Sequence, residues 1–151
     1  MITVIAVGKR HEDWIGPGVE RYQKRLKRPY DIEWKLLPHS ALQGDAARKE
    51  ESLRITRSFG KDDHVILLDE RGKTVGSSDL VDIIGKAQLA ARHVCFVIGG
   101  AYGVDDDLRN RADAVISLSA LVFPHQLVRL ILTEQLYRAQ QIVVGGKYHH
   151  E

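Results

Sequence analysis

A chain of 151 residues, 44% hydrophobic and 28% charged, is long enough to bury a core of its own without a disulfide staple. No run approaches the ~20 consecutive apolar residues that span a bilayer, so no membrane role is expected. The net charge of +2 is too small to name a partner. The single cysteine, Cys95, lies in the apolar run VCFVI, where a reduced core side chain is expected, in keeping with a cytoplasmic protein.

The opening MITVIAV has no basic leader and runs straight into Gly8-Lys9-Arg10, so it reads as a strand and not as a signal peptide. A helical stretch follows over roughly residues 13–26. Positive charge gathers at this end: Lys9, Arg10, Arg21, Lys24, Arg25, Lys27 and Arg28 stand against Glu12, Asp13 and Glu20. The segment RYQKRLKRPY interleaves Tyr22 and Tyr30 with its bases. It reads equally as a phosphate-neutralising patch with rings available for stacking and as the solvated face of an amphipathic helix.

Next comes IEWKLL, whose alternation suits a strand near a sheet edge, and a helix over 45–59. HVILL and VCFVI, separated by a helix over 78–91, are apolar almost throughout, as central strands are; ITVIAV is a further candidate for the centre. A short helix from Asp105, a last strand AVISL and a long helix from Pro124 complete the pattern. Short strands alternating with helices predict a single α/β domain over residues 1–151, a mostly parallel sheet flanked by helices on both faces.

The last helix is too apolar for one packing surface. Leu127, Val128, Leu130, Ile131, Leu132, Leu136, Tyr137 and Ala139 cover far more than a ~100° stripe. A second copy of the chain is the simplest cover for the surplus, so a homodimer with this helix in the interface is expected. Pro124 suits the first turn, where its missing N–H has no intrahelical role. Glu134 and Arg138 are spaced for an i,i+4 pair, which accounts for them without catalysis.

Open parallel sheets bind ligands beyond the carboxyl ends of their strands. Three loops qualify: LLDERGK at 67–73, FVIGGAYG at 96–103 and SLSALVFPH at 117–125. The glycine loop lacks the GxGxxG spacing, and Asp105, Asp106 and Asp107 follow where a phosphate would dock on the next helix. One of them is a good N-cap; three together repel a pyrophosphate. There is no Walker lysine. A ligand that approaches backbone glycines but lacks phosphate, or carries positive charge, fits better. No paired cysteines or HExxH run supply metal ligands, so no metal is expected, and Ser117 and Ser119 lack a nucleophile-elbow context.

Three pieces in order, LLDERGK, FVIGGAYG and ISLSALVFPHQLVRLILTEQLYRAQQI with a closing YHHE, carry a resemblance. The sequence strongly resembles the ribosomal large subunit methyltransferase H family of the SPOUT class over nearly its whole length, most densely from Val65 to Glu151. The segment beginning Pro-His-Gln-Leu-Val-Arg is its most specific part.

The resemblance implies a SPOUT-type α/β fold with a C-terminal trefoil knot, a homodimer, and S-adenosylmethionine as methyl donor. It implies methylation of N3 of a pseudouridine in large-subunit (23S) rRNA, on assembled ribosomes. By match, Leu68, Gly99, Gly100, Leu118, Ser119, Ala120, Leu121, Val122 and Phe123 would line the donor pocket. Tyr148 and His149 would form the functional tail, with His149 a candidate base for the N3 proton and Tyr148 orienting or stacking on the target. The family has proline before the tail tyrosine where Lys147 stands here after Gly145-Gly146, which leaves more conformations to be ordered. It also tends to carry arginine where His150 stands, exchanging a permanent charge for a titrating one. Two rival readings are a SPOUT enzyme acting on tRNA and a ribosome-binding module without catalysis.

Overall fold

The computed structural model of the protein describes residues 1–148. Strands β1 (Ile2–Val7), β2 (Ile32–Leu37), β3 (His64–Thr74), β4 (Val94–Ile98) and β5 (Ala114–Ser117) alternate with helices α1 (Gly16–Gln23), α2 (Gly44–Thr56), α3 (Ser77–Leu89), α4 (Asp106–Arg111) and α5 (His125–Val144). All neighbouring strands pair in parallel, in the order β2-β1-β4-β3-β5.

Strand position follows composition. β4 and β1, the continuous apolar runs, are buried at every residue and sit at the middle of the sheet. β2, with its charged alternation, buries only Ile32 and forms an edge. Side-chain period divides the core in two. Ile2, Val4, Ala6, Ile66, Phe96 and Ile98 face one way, toward Ile84 of α3 and Leu132, Leu136 and Ala139 of α5. Ile5, Val7, Val65, Leu67, Cys95 and Val97 face the other, toward Ile55 of α2 and Leu108 of α4. Burial pushes the Cys95 thiol up to about 12, so it packs as an inert apolar group.

Several boundaries differ from the sequence reading, and α2 ends at Thr56 and not at Phe59. β3 does not stop at Leu68 before a loop. It continues to Thr74 through an irregularity in which Leu68 and Lys73 both register against Ile116 of β5, so the intervening residues bow outward. Gly72 permits this return, because a Cβ there would lie 2.7 Å from the Val115 carbonyl. α1 is shorter than expected, with Pro17 in its first turn. Pro124 is the N-cap of α5, with extended backbone, and not a residue of its first turn.

α5 packs against α1 and α3. Its buried face is partly polar. Gln126 accepts from Glu12 N at 3.0 Å and donates to Arg10 O, while Gln140 accepts from Lys27 N at 2.7 Å and donates to Arg25 O. Two amides of one helix thus satisfy backbone groups on both sides of α1. Their burial explains why residues outside the apolar pattern lie inside.

Candidate functional site

The carboxyl ends of β3, β4 and β5 converge on a cavity of about 580 Å³, within the range of roughly 300–1,000 Å³ usual for ligand pockets. Leu68, Gly99, Gly100, Leu118, Ser119, Leu121, Val122 and Phe123 all line it; Ala120, in the same loop, is exposed and does not. Asp69, Glu70, Tyr102 and His125, which the sequence reading did not assign, line it as well.

The glycine loop is a tight turn, with Gly103 N donating to Gly100 O at 3.0 Å and Gly103 at φ 75°. Its glycines are required by close packing. A Cβ on Gly99 would meet Val104 at 3.0 Å, and one on Gly100 would meet Glu51 Oε1 at 2.7 Å. Of the three aspartates that follow, Asp105 is the N-cap of α4, accepting from Leu108 N at 2.9 Å. The third loop is braced from within: Ser117 Oγ donates to Ser119 O at 2.6 Å, and Leu121 N donates to Ser119 Oγ at 3.0 Å.

The bowed residues of β3 place Asp69 on the cavity wall, where Arg71 and Arg109 hold it. Burial works to raise its carboxyl, but hydrogen bonds from both arginines outweigh burial and keep it below the ordinary aspartate value. His125 opens α5 at the opposite wall. Burial, then Arg129 and the neighbouring His39, push its imidazole below 6.5 against the opposing pull of Glu12 and Glu51, which favours the neutral form at pH 7.

Arg129 anchors this end of α5. Fully buried, it donates to Val7 O at 2.9 Å, Gly8 O at 3.1 Å and Arg10 O at 2.9 Å, and its Nε has no partner among the described residues. The guanidinium fixes the segment leaving β1 against the cavity-forming end of the helix. Its signal in the sequence was an arginine inside the apolar run LVRLIL.

Tyr148 is elsewhere. Its ring meets Tyr137 edge-on, centroids 4.9 Å apart, and lies 4.8 Å from the Arg138 guanidinium. Arg138 is in turn paired with Glu134 at 2.9 Å, so the expected i,i+4 pair exists and also supports the tail. Burial, the Tyr22 hydroxyl and Glu134 push the Tyr148 phenol up to about 12, leaving it protonated at neutral pH. Tyr137 and His125 are twelve residues apart on α5, ~18 Å at helical rise. Tyr148 therefore does not meet the cavity of its own chain. His149 and His150 lie outside the described residues.

A second groove, of about 380 Å³, runs beside this end of α5 between Arg25, Lys27, Arg28 and Gln140, Gln141, Val143, Val144. Arg21 is the one base within α1; Lys24, Arg25, Lys27 and Arg28 follow it in the turn toward β2, and all five are exposed. The rings are not free for stacking: Tyr30 is buried in the core and Tyr22 is half-buried against Tyr137. No group of three or more His, Cys, Asp or Glu able to hold a metal occurs among the described residues, and no helix there is long and apolar enough to cross a membrane.

Comparison with known proteins agrees with this geometry. The family model described as "Predicted SPOUT methyltransferase" matches residues 1–149. A protein named Ribosomal RNA large subunit methyltransferase H from Geobacter metallireducens is 40% identical over 99% of this chain and 98% of its own length. One of the same name from Neisseria meningitidis serogroup C is 40% identical over 99% of both chains. Among solved structures, a methylase family protein from Neisseria gonorrhoeae superposes with a TM-score of 0.59 at 12% identity, covering 99% of this chain and 86% of that one, a likeness of fold. A parallel five-stranded sheet with its cavity at the carboxyl ends, together with full-length relatives at this level of identity, places the chain in the SPOUT methyltransferases, as a member of the ribosomal RNA large subunit methyltransferase H family.

Proposed function

We propose that this chain transfers a methyl group from S-adenosylmethionine to N3 of a pseudouridine in large-subunit (23S) rRNA, working in the cytoplasm on assembled ribosomes as a homodimer. The observation that carries the reading is the cavity itself, which suits this donor. Its walls are glycine backbone, Leu68, Ile98, Phe123 and Val128, and its charged members are Asp69 and Glu70 with Arg48 and Arg71. Such a lining accepts a phosphate-free adenosine and a methionine part of mixed charge, and the acidic first turn of α4 behind the glycine loop disfavours a triphosphate.

The bound donor supplies an activated methyl group. The protein's share is to place the target nitrogen about 3 Å from that carbon and to take up the N3 proton, since a neutral imide nitrogen is a poor nucleophile. The loops of residues 68, 99–100 and 118–123 hold the donor. His149 accepts the proton, and Tyr148, protonated at neutral pH, orients the base as a hydrogen-bond donor. Because Tyr148 lies against the far end of its own α5, the tail of a second copy completes each cavity. Exposed Leu121, Val122, Val143 and Val144, at 58–75% exposure, provide apolar surface for that pairing.

The test offers methyl-labelled donor with assembled ribosomes, separated large subunits and bulk tRNA, taken from cells lacking the protein. Label on one large-subunit pseudouridine, in assembled ribosomes only, is expected. Label on tRNA would replace the substrate, and donor binding without transfer would leave a ribosome-binding module.

A further inference from the structure

Glu51, on α2, is a buried carboxylate with an unexplained oxygen. The residue is 3% exposed. Oε2 accepts from Ser40 N at 2.9 Å and faces His39 Nδ1 at 3.9 Å, while Oε1 has no hydrogen-bond partner among the described residues. That bare oxygen lies 2.7 Å from the position a Cβ on Gly100 would take, and Gly100 lines the cavity. A buried carboxylate with an unpaired oxygen costs stability, and its persistence calls for a compensating use.

The other charges around the cavity are already answered. Asp69 is held by Arg71 and Arg109, Arg48 pairs with Asp45, and Glu70 is exposed to solvent. Arg129, beyond Gly8, gives both terminal nitrogens to backbone carbonyls, its Nε alone lacking a partner among the described residues. Glu51 alone combines burial with an uncommitted oxygen, and a buried charge is screened far less by salt than a surface one.

We infer that Glu51 is the fixed negative charge by which the cavity prefers a cationic donor over the spent, neutral thioether product. Resting on the donor reading above, this assigns Glu51 a role in specificity and turnover: S-adenosylmethionine carries a sulfonium, S-adenosylhomocysteine does not, and a charge behind Gly100 tells them apart. Loss of the sulfonium on transfer removes the attraction and helps the product leave.

The experiment is calorimetric titration of the purified full-length protein with S-adenosylmethionine, S-adenosylhomocysteine and sinefungin, whose amine supplies a cation that cannot be transferred. The unaltered protein is expected to bind sinefungin more tightly than S-adenosylhomocysteine. Glu51→Gln, which keeps shape and removes charge, should weaken both cationic ligands about fivefold or more while leaving the homocysteine within about twofold. Equal weakening of all three, with a lowered thermal midpoint, would reduce Glu51 to a packing group. No preference for the cation in the unaltered protein would overturn the inference without any variant, which keeps the test decisive should Glu51→Gln fail to fold. If none of the three ligands binds, the donor reading itself is wrong and the inference goes with it.

Discussion

The two ends of α5 are built on opposite plans. At its N-terminal end Arg129 reaches three backbone carbonyls, Gln126 fastens the approach to α1, and glycines pack so closely that no Cβ fits. At its C-terminal end Gly145 turns the chain at φ 72°, Val143 and Val144 are exposed, and Tyr148 rests on the side chains of Tyr137, Arg138 and Tyr22. On the function proposed above, the difference separates two tasks. A pocket for a small molecule of fixed shape benefits from walls that cannot shift, whereas a tail that must close on a large substrate is cheaper to order from few contacts.

The most direct way to break this comparison is at Arg129. Arg129→Ala removes the guanidinium from the carbonyls of Val7 and Gly8 and leaves Arg10 O to Gln126 alone, and should cost about 3 kcal/mol or more, lowering the thermal midpoint by roughly 6–12 °C. A midpoint within about 2 °C of the parent would show that the N-terminal end of the helix is not held as described. His149→Ala should do the reverse. Donor affinity by calorimetry stays within about twofold while single-turnover methyl transfer falls roughly a hundredfold, the usual contribution of a general base. Unchanged transfer would remove His149 from the proton step and leave Tyr148 as the tail's contribution.

A third, smaller effect belongs to the basic turn after α1. Reversing charge at Lys24 and Lys27, both exposed, should weaken ribosome association several-fold and flatten its salt dependence without altering donor affinity. Equal salt slopes before and after would assign these bases to a solvated surface.

The smallest expected effect is with pH. The imidazoles of His11, His64 and His125 are pushed below 6.5, mainly by burial. Below that value the unfolded chain binds protons that the folded one refuses, so stability falls as pH drops from 7 toward the lowered values. Asp69 and Asp113, held below 3.8, contribute stability that is lost only at more acid pH, as they protonate. A thermal midpoint lower at pH 5 than at pH 7, with a reduced drop in His11→Gln, is the expected record; a flat profile would contradict the burial at the cavity end.

What could be seen in the sequence divides along similar lines. Strand identity was legible because VCFVI and ITVIAV have no polar face to present and IEWKLL has one. The turn of FVIGGAYG was legible because glycine tolerates crowding that other residues do not. The order β2-β1-β4-β3-β5 was not, since periodicity reports which face is buried and never which strand is next. Nor was the bow in β3, where DERGK looks like a loop by composition and is held in the sheet by the Gly72 contact with Val115. Glu51 and Arg129 could not be told from surface charges without knowing what lies behind them. Tyr30 misled in the other direction, because a tyrosine among bases looks available until its ring is found in the core.

Gln126 and Gln140 sit fourteen residues apart on α5, ~21 Å at helical rise, and between them they grip the backbone before and after α1. α1 and the basic turn that follows it are thereby mounted on the same rod whose first turn forms the cavity wall. The mounting acts as a gauge: a surface that seats against α1 is set at a fixed offset from Phe123 and His125, whatever the free tail does. Measurement of the substrate's position is then a property of the folded body, and the closing residues need only finish a placement already made.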